Sequence, residues 1–330
     1  MQLALQEARD LMAEACRAAS VPGDQTDFVI DHYLAGELRG KPSHGLAKFC
    51  FESQFFAHRQ GPPRIVRERG ALAIVDAQRE IGPISARFAA TAATHRARQF
   101  GAGIIGMINT QRYGILGQWS EQIAAAGFIG LVMNTSRAES TVHGARTPAL
   151  GVNPLSIAVP TNGEPFVADM STTLAPMGTL WEARRSGDRL PPDCFVDDHG
   201  TFTDDPATAA SAVVFGEHRG FVISVLVQLL TGSLFGFPMS SDVDSTWRTG
   251  YTFIALDPSL GGEFTEFTAS NTRLIDALRT MKTADGTAAR LPGQASRDRA
   301  ARTQRAGTLT VPDALYERLV ARASGDFNHL

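Results

Sequence analysis

Apolar residues recur at two different spacings along this chain, and each spacing predicts a different kind of element. Helical periodicity or an alanine-rich composition predicts helices over residues 3–19, 25–38, 84–100, 263–281 and 312–323. Short apolar runs bounded by turn residues predict strands at 71–75, 103–108, 129–133, 155–159, 166–168 and 251–256. Helices and strands share the chain, which indicates an α/β protein.

One apolar segment, residues 220–237, runs for eighteen residues without a charge and so approaches the length of a membrane span. Polar residues interrupt it at Ser224, Gln228 and Thr231, and the sequence contains no second segment of this kind. A helix that protein surrounds on all sides has the same apolar signature. The segment is therefore predicted to be a buried helix.

Composition narrows the class of protein further. The chain has 330 residues, of which 43% are hydrophobic and 20% are charged, so it can form one large domain or two ordinary ones. Its net charge of -3 gives no overall basic field for a nucleic acid. Cys16, Cys50 and Cys194 lie far apart, and no metal-ligand spacing is present. We therefore expect no disulfide framework and no metal. The helical N-terminus also lacks the pattern of a signal peptide, so a soluble cytoplasmic protein is expected.

A glycine motif at residues 101–106 matches the G-x-G-x-x-G pattern of dinucleotide-binding proteins. That pattern binds pyrophosphate only where a strand turns into a helix, so that helix amides point at the phosphates. Here a predicted helix precedes the glycines and a predicted strand follows them. The motif is therefore interpreted as a helix cap and the start of a strand, and a Rossmann site is not expected.

The stretch from residue 37 to 45 carries the clearest chemical signal. It gathers the imidazole of His44, the hydroxyl of Ser43 and two cations, Arg39 and Lys41, around a predicted helix end. Histidine exchanges protons near neutral pH, and a guanidinium can hold a carboxylate through paired hydrogen bonds. The stretch is a candidate for proton transfer beside an anion, although Ser-His-Gly alone is also an ordinary helix stop.

Several separated segments together resemble the type-2 malate/L-lactate dehydrogenase family of NAD(P)-dependent oxidoreductases. The resemblance is collinear over about residues 3 to 325, and it is carried by the order and spacing of the segments. These are Leu38-Arg39-Gly40, Ser43-His44-Gly45, Val75-Asp76-Ala77, Asn109-Thr110-Gln111-Arg112-Tyr113-Gly114, Gly151-Val152-Asn153-Pro154, Asp169-Met170-Ser171-Thr172, Thr203-Asp204-Asp205-Pro206, Arg219-Gly220-Phe221 and Leu291-Pro292-Gly293.

The resemblance implies a particular fold. The family holds its cofactor on a mixed, largely antiparallel sheet that is not a Rossmann fold, and a helical region packs beside it. For this chain we expect residues 119–289 to form the NAD(P)-binding domain. Residues 1–118 and 290–330 would form the substrate and dimerisation region, as in the homodimers of relatives.

The resemblance also implies roles for residues near the substrate. His44 would donate a proton in reduction and accept it in oxidation, with Ser43 hydrogen-bonding nearby. Arg39 would orient the substrate carboxylate or the turn, although pairing with an acid such as Glu37 is an equally open role for it. Arg112 and Tyr113 would face the substrate.

Three segments would contact NAD or NADP, and the sequence does not distinguish between the two cofactors. Their hydroxyls, amides and one cation suit pyrophosphate oxygens. They comprise Asp169, Met170, Ser171, Thr172 and Gly178; His218, Arg219 and Gly220; and Leu291, Pro292 and Gly293.

Two departures from the family pattern concern function. Thr179 stands where the family usually has a lysine, whereas Arg219 replaces another lysine and keeps its charge. Gln111-Arg112-Tyr113-Gly114 stands where relatives commonly carry a His-His-Phe-Gly sequence. We hypothesise that Arg112 adds an anion contact that favours a dicarboxylate, the alternative being a partial loss of catalytic competence.

The expected reaction interconverts a small 2-oxo acid and its 2-hydroxy acid, with NAD or NADP as the cofactor. One alternative is the reduction of a cyclic 2-imino carboxylate, such as a piperideine or pyrroline carboxylate, by the same hydride geometry. Another is a catalytically silent ligand-binding homologue. The expected partners are a small carboxylate substrate and a second copy of the chain, not a nucleic acid or a membrane.

Overall fold

The structure, a computed structural model, describes residues 1–142, 145 and 147–328. Its strands are β1 (Gln2–Ala4), β2 (Arg64–Arg69), β3 (Leu72–Asp76), β4 (Ala102–Ile108), β5 (Ile129–Asn134), β6 (Ser140–Thr141), β7 (Pro148–Leu150), β8 (Leu155–Val159), β9 (Phe166–Met170), β10 (Phe195–Val196), β11 (Ser211–Val213), β12 (Tyr251–Leu256) and β13 (Thr308–Thr310). Its helices are α1 (Leu5–Ala18), α2 (Gly23–Leu38), α3 (Leu46–Ser53), α4 (Gly82–Phe100), α5 (Leu116–Ala125), α6 (Met177–Ser186), α7 (His218–Thr231), α8 (Phe264–Thr280), α9 (Gln294–Ala306) and α10 (Asp313–Ala323).

A seven-stranded sheet with the order β2-β3-β4-β12-β5-β8-β9 forms the centre of the molecule. β3 and β4 pair in parallel, and the other neighbouring strands of this sheet pair antiparallel. A four-stranded sheet with the order β10-β11-β6-β7 and the pair β1-β13 complete the strands. The prediction of a mixed, largely antiparallel α/β fold is confirmed, since a Rossmann fold would require a mostly parallel sheet.

The glycines of the G-x-G-x-x-G motif serve close packing. Gly101 ends α4 in the left-handed conformation with a φ of 77°, and β4 begins at the next residue. A Cβ atom at Gly103 would lie 1.9 Å from the carbonyl oxygen of Ala93, and one at Gly106 would lie 2.4 Å from the ring of Phe235. The motif therefore lets a helix and an aromatic ring approach β4 closely, as the interpretation of a helix cap and strand start requires.

Separate apolar clusters lie under the helices. α1, α2, α3 and α10 share one core with β1 and β13, and its fully buried side chains include Leu3, Tyr33, Phe49 and Leu319. α4 and α5 pack against the central sheet around residues such as Phe253. Residues from both ends of the chain thus share the helical core. The predicted domain boundaries at 118, 119, 289 and 290 stay a prediction.

The prediction of a buried helix at residues 220–237 is wrong for the single chain. α7 occupies most of this segment, but Leu226 is 50% exposed and Leu229 is 48% exposed. The buried face carries small and polar residues such as Ser224 and Gln228, whereas the leucines point outward. Within the described residues, 218–235 is the one segment long and apolar enough to pass for a membrane span by length and composition alone.

Candidate active site

A cavity of about 580 Å³ lies where the end of α2, the loop before α5, the end of β9 and the start of α6 meet. It brings together many of the residues that the sequence predicted for the site. Those that line it are Ser43, His44, Arg112, Tyr113, Asp169, Met170, Ser171 and Gly178. Four further charged residues line the same space, namely Lys41, Lys48, Glu139 and Glu182.

His44 lies in a short 3-10 turn that two helices hold in place. The Oγ atom of Ser43 is 3.0 Å from Nδ1 of His44. α3 begins at Leu46, whose backbone N–H donates to the Glu37 carboxylate at 2.6 Å. A Cβ atom at Gly36 in α2 would lie 2.5 Å from the His44 carbonyl oxygen, so only glycine permits this approach. We call residues 40–45 the catalytic turn.

The imidazole of His44 is neutral in the free protein. Burial, followed by the positive charges of Lys48 and Lys41, lowers its pKa to about 4, whereas the negative charge of Asp169 acts in the opposite direction. At neutral pH this imidazole can therefore accept a proton. Any anion that offsets the neighbouring cations would raise its pKa and favour the protonated form.

Two lysines reach the cavity as members of ion pairs. Nζ of Lys41 is 2.8 Å from Oδ2 of Asp169. Lys48 pairs with Glu52, one helical turn further along α3, and both side chains are buried. Burial also lowers the pKa of Lys48, in opposition to Glu52. Lys48 was not predicted to be a site residue. Its spacing of four residues from both His44 and Glu52 would place all three side chains on one face of a helix.

Arg112 and Tyr113 reach the cavity from the loop between β4 and α5. The Tyr113 hydroxyl donates to Oδ1 of Asn134 at 3.0 Å, and its ring is buried. The guanidinium of Arg112 forms no hydrogen bond or ion pair with any residue in the described part of the chain. It does act electrostatically on His44 and Lys48. Arg112 is thus available to an anionic ligand.

Arg39 lies outside the residues that line the cavity. Its Nη2 atom is 2.9 Å from Oε2 of Glu121 in α5, and both side chains are about one quarter exposed. This contact joins the end of α2 to α5, and it corresponds to the structural role that the sequence left open for Arg39.

The first predicted cofactor segment includes the end of β9 and lines the cavity. The third approaches β9 at Val167, and the second lies at the start of α7. Thr172 is buried behind that cavity, where its hydroxyl donates to the Val152 carbonyl. Its own carbonyl accepts from the Phe215 backbone N–H at 3.0 Å, shortly before His218, Arg219 and Gly220 begin α7. On the other side, a Cβ atom at Gly293, which follows Leu291 and Pro292, would lie 2.9 Å from the Val167 carbonyl oxygen.

These surroundings fit an elongated cofactor. Met170 is 41% exposed at the end of β9, beside the cavity. At the start of α6, the backbone N–H groups of Met177 and Gly178 have no described partner and can donate to anionic oxygens. At the start of α7, the N–H groups of Arg219 and Gly220 already donate to the carbonyls of Gly216 and Phe215. Gly178 packs close to the catalytic turn, because a Cβ atom there would lie 2.9 Å from Oγ of Ser43. The start of α6 and residues 40–45 are therefore adjacent.

Comparisons with known proteins agree with this geometry. The chain is 29% identical over 292 residues to L-sulfolactate dehydrogenase of Methanothermobacter thermautotrophicus, covering 85% of this chain and 86% of that protein. It is 31% identical over 276 residues to Delta(1)-pyrroline-2-carboxylate reductase 2 of Burkholderia multivorans, covering 79% and 78%. The crystal structure of a dehydrogenase from Sinorhizobium meliloti superposes with a TM-score of 0.91 at 27% identity, over 98% of both chains.

The model of the malate/L-lactate dehydrogenase family matches residues 3–320, which is nearly the whole chain. The family resemblance that the sequence segments suggested is confirmed. This chain therefore belongs to the malate/L-lactate dehydrogenase family and is an NAD(P)-dependent oxidoreductase.

Proposed function

We propose that this protein interconverts a small 2-oxo acid and its 2-hydroxy acid with NAD or NADP. The observation that carries the proposal is a half-buried, neutral imidazole at His44 in the same cavity as the cations Lys48 and Arg112. Such a cavity can hold a carboxylate and exchange a proton with the neighbouring oxygen. When bound, the nicotinamide supplies or accepts the hydride at the carbon that bears this oxygen.

His44 is the proton-transfer residue in this proposal. In oxidation, its neutral imidazole accepts the hydroxyl proton of the substrate, and Ser43 orients the ring through Nδ1. In reduction, the substrate carboxylate first offsets part of the positive charge of Lys48 and Arg112, which raises the pKa of His44. The imidazolium then donates its proton to the carbonyl oxygen.

Arg112 and Lys48 bind the carboxylate. Arg112 can form two parallel hydrogen bonds, since its guanidinium has no partner among the described residues. Lys48 contributes a positive charge that Glu52 fixes in place. Tyr113 and Asn134 form the adjoining wall. Arg39 acts at a distance by holding α2 against α5.

The cofactor binds along β9 in this proposal. Asp169, Met170, Ser171 and Gly178 lie on the cavity side, and Gly293, just before α9, approaches the same strand. The segment before α7 is joined to the residues after β9 by the hydrogen bond from the Phe215 N–H to the Thr172 carbonyl. Thr172 supports this edge from behind. The absence of a lysine at Thr179 weakens the positive charge there, so we expect Arg219 to be the main cation of the cofactor site.

Steady-state turnover of NADH and NADPH with a panel of oxo acids tests the proposal. We expect His44→Asn to reduce kcat by about 100- to 10,000-fold, the range for loss of a general acid or base. His199→Asn is the matched control, because His199 is a surface imidazole with 82% of its side chain exposed. Equal rates for His44→Asn and the parent protein would remove His44 from catalysis.

A second candidate substrate class is the cyclic 2-imino carboxylates. The relative from Burkholderia multivorans supports it, and its name describes a pyrroline-2-carboxylate reductase. The same cavity would place the substrate carboxylate on Arg112 and deliver hydride to the carbon of a C=N bond. Faster turnover of pyrroline or piperideine carboxylates than of every oxo acid would favour this candidate. Cofactor binding without any turnover would instead indicate a silent homologue.

We also propose that two copies of the chain associate through the outer face of α7, defined by Val222, Leu226, Leu229 and Leu230. This face lies within the predicted NAD(P)-binding region and not in the dimerisation region that the resemblance implied. These apolar side chains are between 40% and 50% exposed in the single chain. We expect a dimer by light scattering, and a monomer for Leu226→Arg. Leu260→Arg is the control, because Leu260 is 99% exposed elsewhere. A monomeric parent protein at micromolar concentration would contradict the proposal.

A cytoplasmic location is part of the same proposal. Cys16, Cys50 and Cys194 are free, and burial raises the pKa of the Cys16 and Cys50 thiols to about 12. Such thiols are unreactive and need no oxidising compartment.

A further inference from the structure

Among the described residues, each cation that lines the substrate cavity interacts with an acid before a substrate arrives. Lys41 pairs with Asp169, and Lys48 pairs with Glu52. The remaining cation in the described lining is Arg112, and the acid on which it acts electrostatically is Glu139. Glu182 adds one more negative charge at the cavity. A dianionic substrate would therefore enter a space whose described cations are all offset.

Glu139 is fixed at the cavity wall by its backbone. Its N–H donates to the Leu150 carbonyl at 2.9 Å, and its carbonyl accepts from the Ala212 N–H at 2.9 Å. These bonds hold it between β7 and β11, directly before β6. Its carboxyl forms no hydrogen bond within the described ranges 1–142, 145 and 147–328. The backbone of Glu139 is thus held in position, and its carboxyl has no described protein partner, which leaves it available for contact with a ligand.

We propose that Glu139 determines substrate specificity by restricting efficient turnover to 2-oxo acids that carry a single negative charge. This inference rests on the proposed function. Arg112 by itself would favour a dicarboxylate, as hypothesised from the sequence. The negative charge of Glu139, however, offsets the positive charge of Arg112. A monoanionic acid uses its carboxylate on Arg112 and Lys48 and leaves an uncharged side chain near Glu139. A second carboxylate or a sulfonate would repel the Glu139 carboxylate in a poorly solvated space.

The same geometry couples dianion binding to proton uptake. Burial raises the pKa of Glu139, whereas Arg112 and then Arg137 act in the opposite direction. A dianion raises this pKa further, so binding becomes easier once Glu139 is protonated. The flanking strands β7 and β11 contribute no titratable side chain. His44 titrates in the same cavity, but it serves both substrate classes, so its effect cancels in their ratio.

The test compares kcat/KM for pyruvate and 2-oxobutyrate with kcat/KM for oxaloacetate and sulfopyruvate. In the parent protein we expect the monoanions to be preferred, and we expect the preference to shrink as the pH falls toward the raised pKa of Glu139. Glu139→Gln should raise kcat/KM for the dianions about 10- to 100-fold, because it removes one like charge. It should also abolish the pH dependence of the ratio. Glu164→Gln, at an exposed residue that is not among the described cavity lining, is the control and should change the ratio less than about threefold.

The outcomes separate this inference from the proposed function. No turnover of any oxo acid by the parent protein would refute the proposed function itself. Turnover with a ratio that Glu139→Gln leaves unchanged would overturn the role of Glu139 alone. Glu139→Ala removes the same charge and repeats the comparison if Glu139→Gln fails to fold.

Discussion

Breaking the ion pair between Lys48 and Glu52 should destabilise the protein by an amount that depends on which partner is removed. The Glu52 side chain is only 1% exposed, and that of Lys48 is 13% exposed. Removing one partner of a buried pair leaves an uncompensated charge and typically costs about 3–5 kcal/mol. Lys48→Met leaves the Glu52 carboxylate without access to water, so we expect a loss near 5 kcal/mol.

Glu52→Met should cost less than Lys48→Met. Lys48 reaches the cavity, and burial already lowers its pKa, so it can contact water or release its proton. We expect a loss of about 3 kcal/mol or less. The double variant replaces both charges with apolar side chains of similar volume, and it should lie within about 1 kcal/mol of the parent protein. The coupling energy between the two sites is therefore large.

Equilibrium unfolding in urea at a fixed protein concentration measures these differences. Arg279→Met is the matched control, because Arg279 pairs with Asp276 at the surface with more than half of each side chain exposed. It should change the unfolding free energy by less than about 0.5 kcal/mol. A loss below about 1 kcal/mol for Lys48→Met, or a double variant whose loss equals the sum of the single losses, would refute the reasoning.

Three further outcomes follow from single groups. The free energy of unfolding should fall as the pH drops below 6.5. The reason is that His32 binds a proton in the unfolded state, whereas burial lowers the pKa of His32 to about 3 in the folded state. The free energy of unfolding of His32→Phe should fall less steeply over the same pH range. Gly114→Ala should cost about 2–5 kcal/mol, since its φ is 72° and a Cβ atom would lie 2.1 Å from Nε2 of His32. Gly307→Ala, where φ is 68° but a Cβ atom would meet no other atom within 4 Å, should cost only about 1 kcal/mol. Thermal unfolding of both variants measures the difference. Arg112→Ala should raise the Michaelis constant for the acid about 10- to 100-fold without changing that for the nicotinamide, and unchanged constants for every substrate would remove Arg112 from the site.

The sequence predicted the central sheet well, because its strands are short apolar runs between turn residues. β4, β5, β8, β9 and β12 all lie within two residues of their predicted ends. β2 was not predicted, since four of the six residues from Arg64 to Arg69 are charged and the strand is exposed on both faces. The short helices α3, α5 and α6 were not predicted either, as eight to ten residues give little periodicity.

The site was predictable where its residues are neighbours in sequence and not where the fold assembles them. Ser43 and His44 form a local motif and do line the cavity. Lys48 resembled an ordinary helix surface residue, and Glu139 belongs to no motif, because each becomes part of the cavity only through tertiary packing. The error at α7 has a similar origin. An apolar helix segment indicates that the helix packs against other protein, but it does not show whether that protein is the same chain or a second copy.

The contact between Glu37 and the start of α3 has a consequence for how ligands are received. Because the N–H of Leu46 is satisfied by that carboxylate, and Gly36 presses against the carbonyl of His44, the imidazole is already oriented without help from a bound molecule. The turn that carries His44 therefore loses little conformational entropy when a small acid binds in the cavity. Any rearrangement on ligand binding is then expected in other parts of the cavity lining.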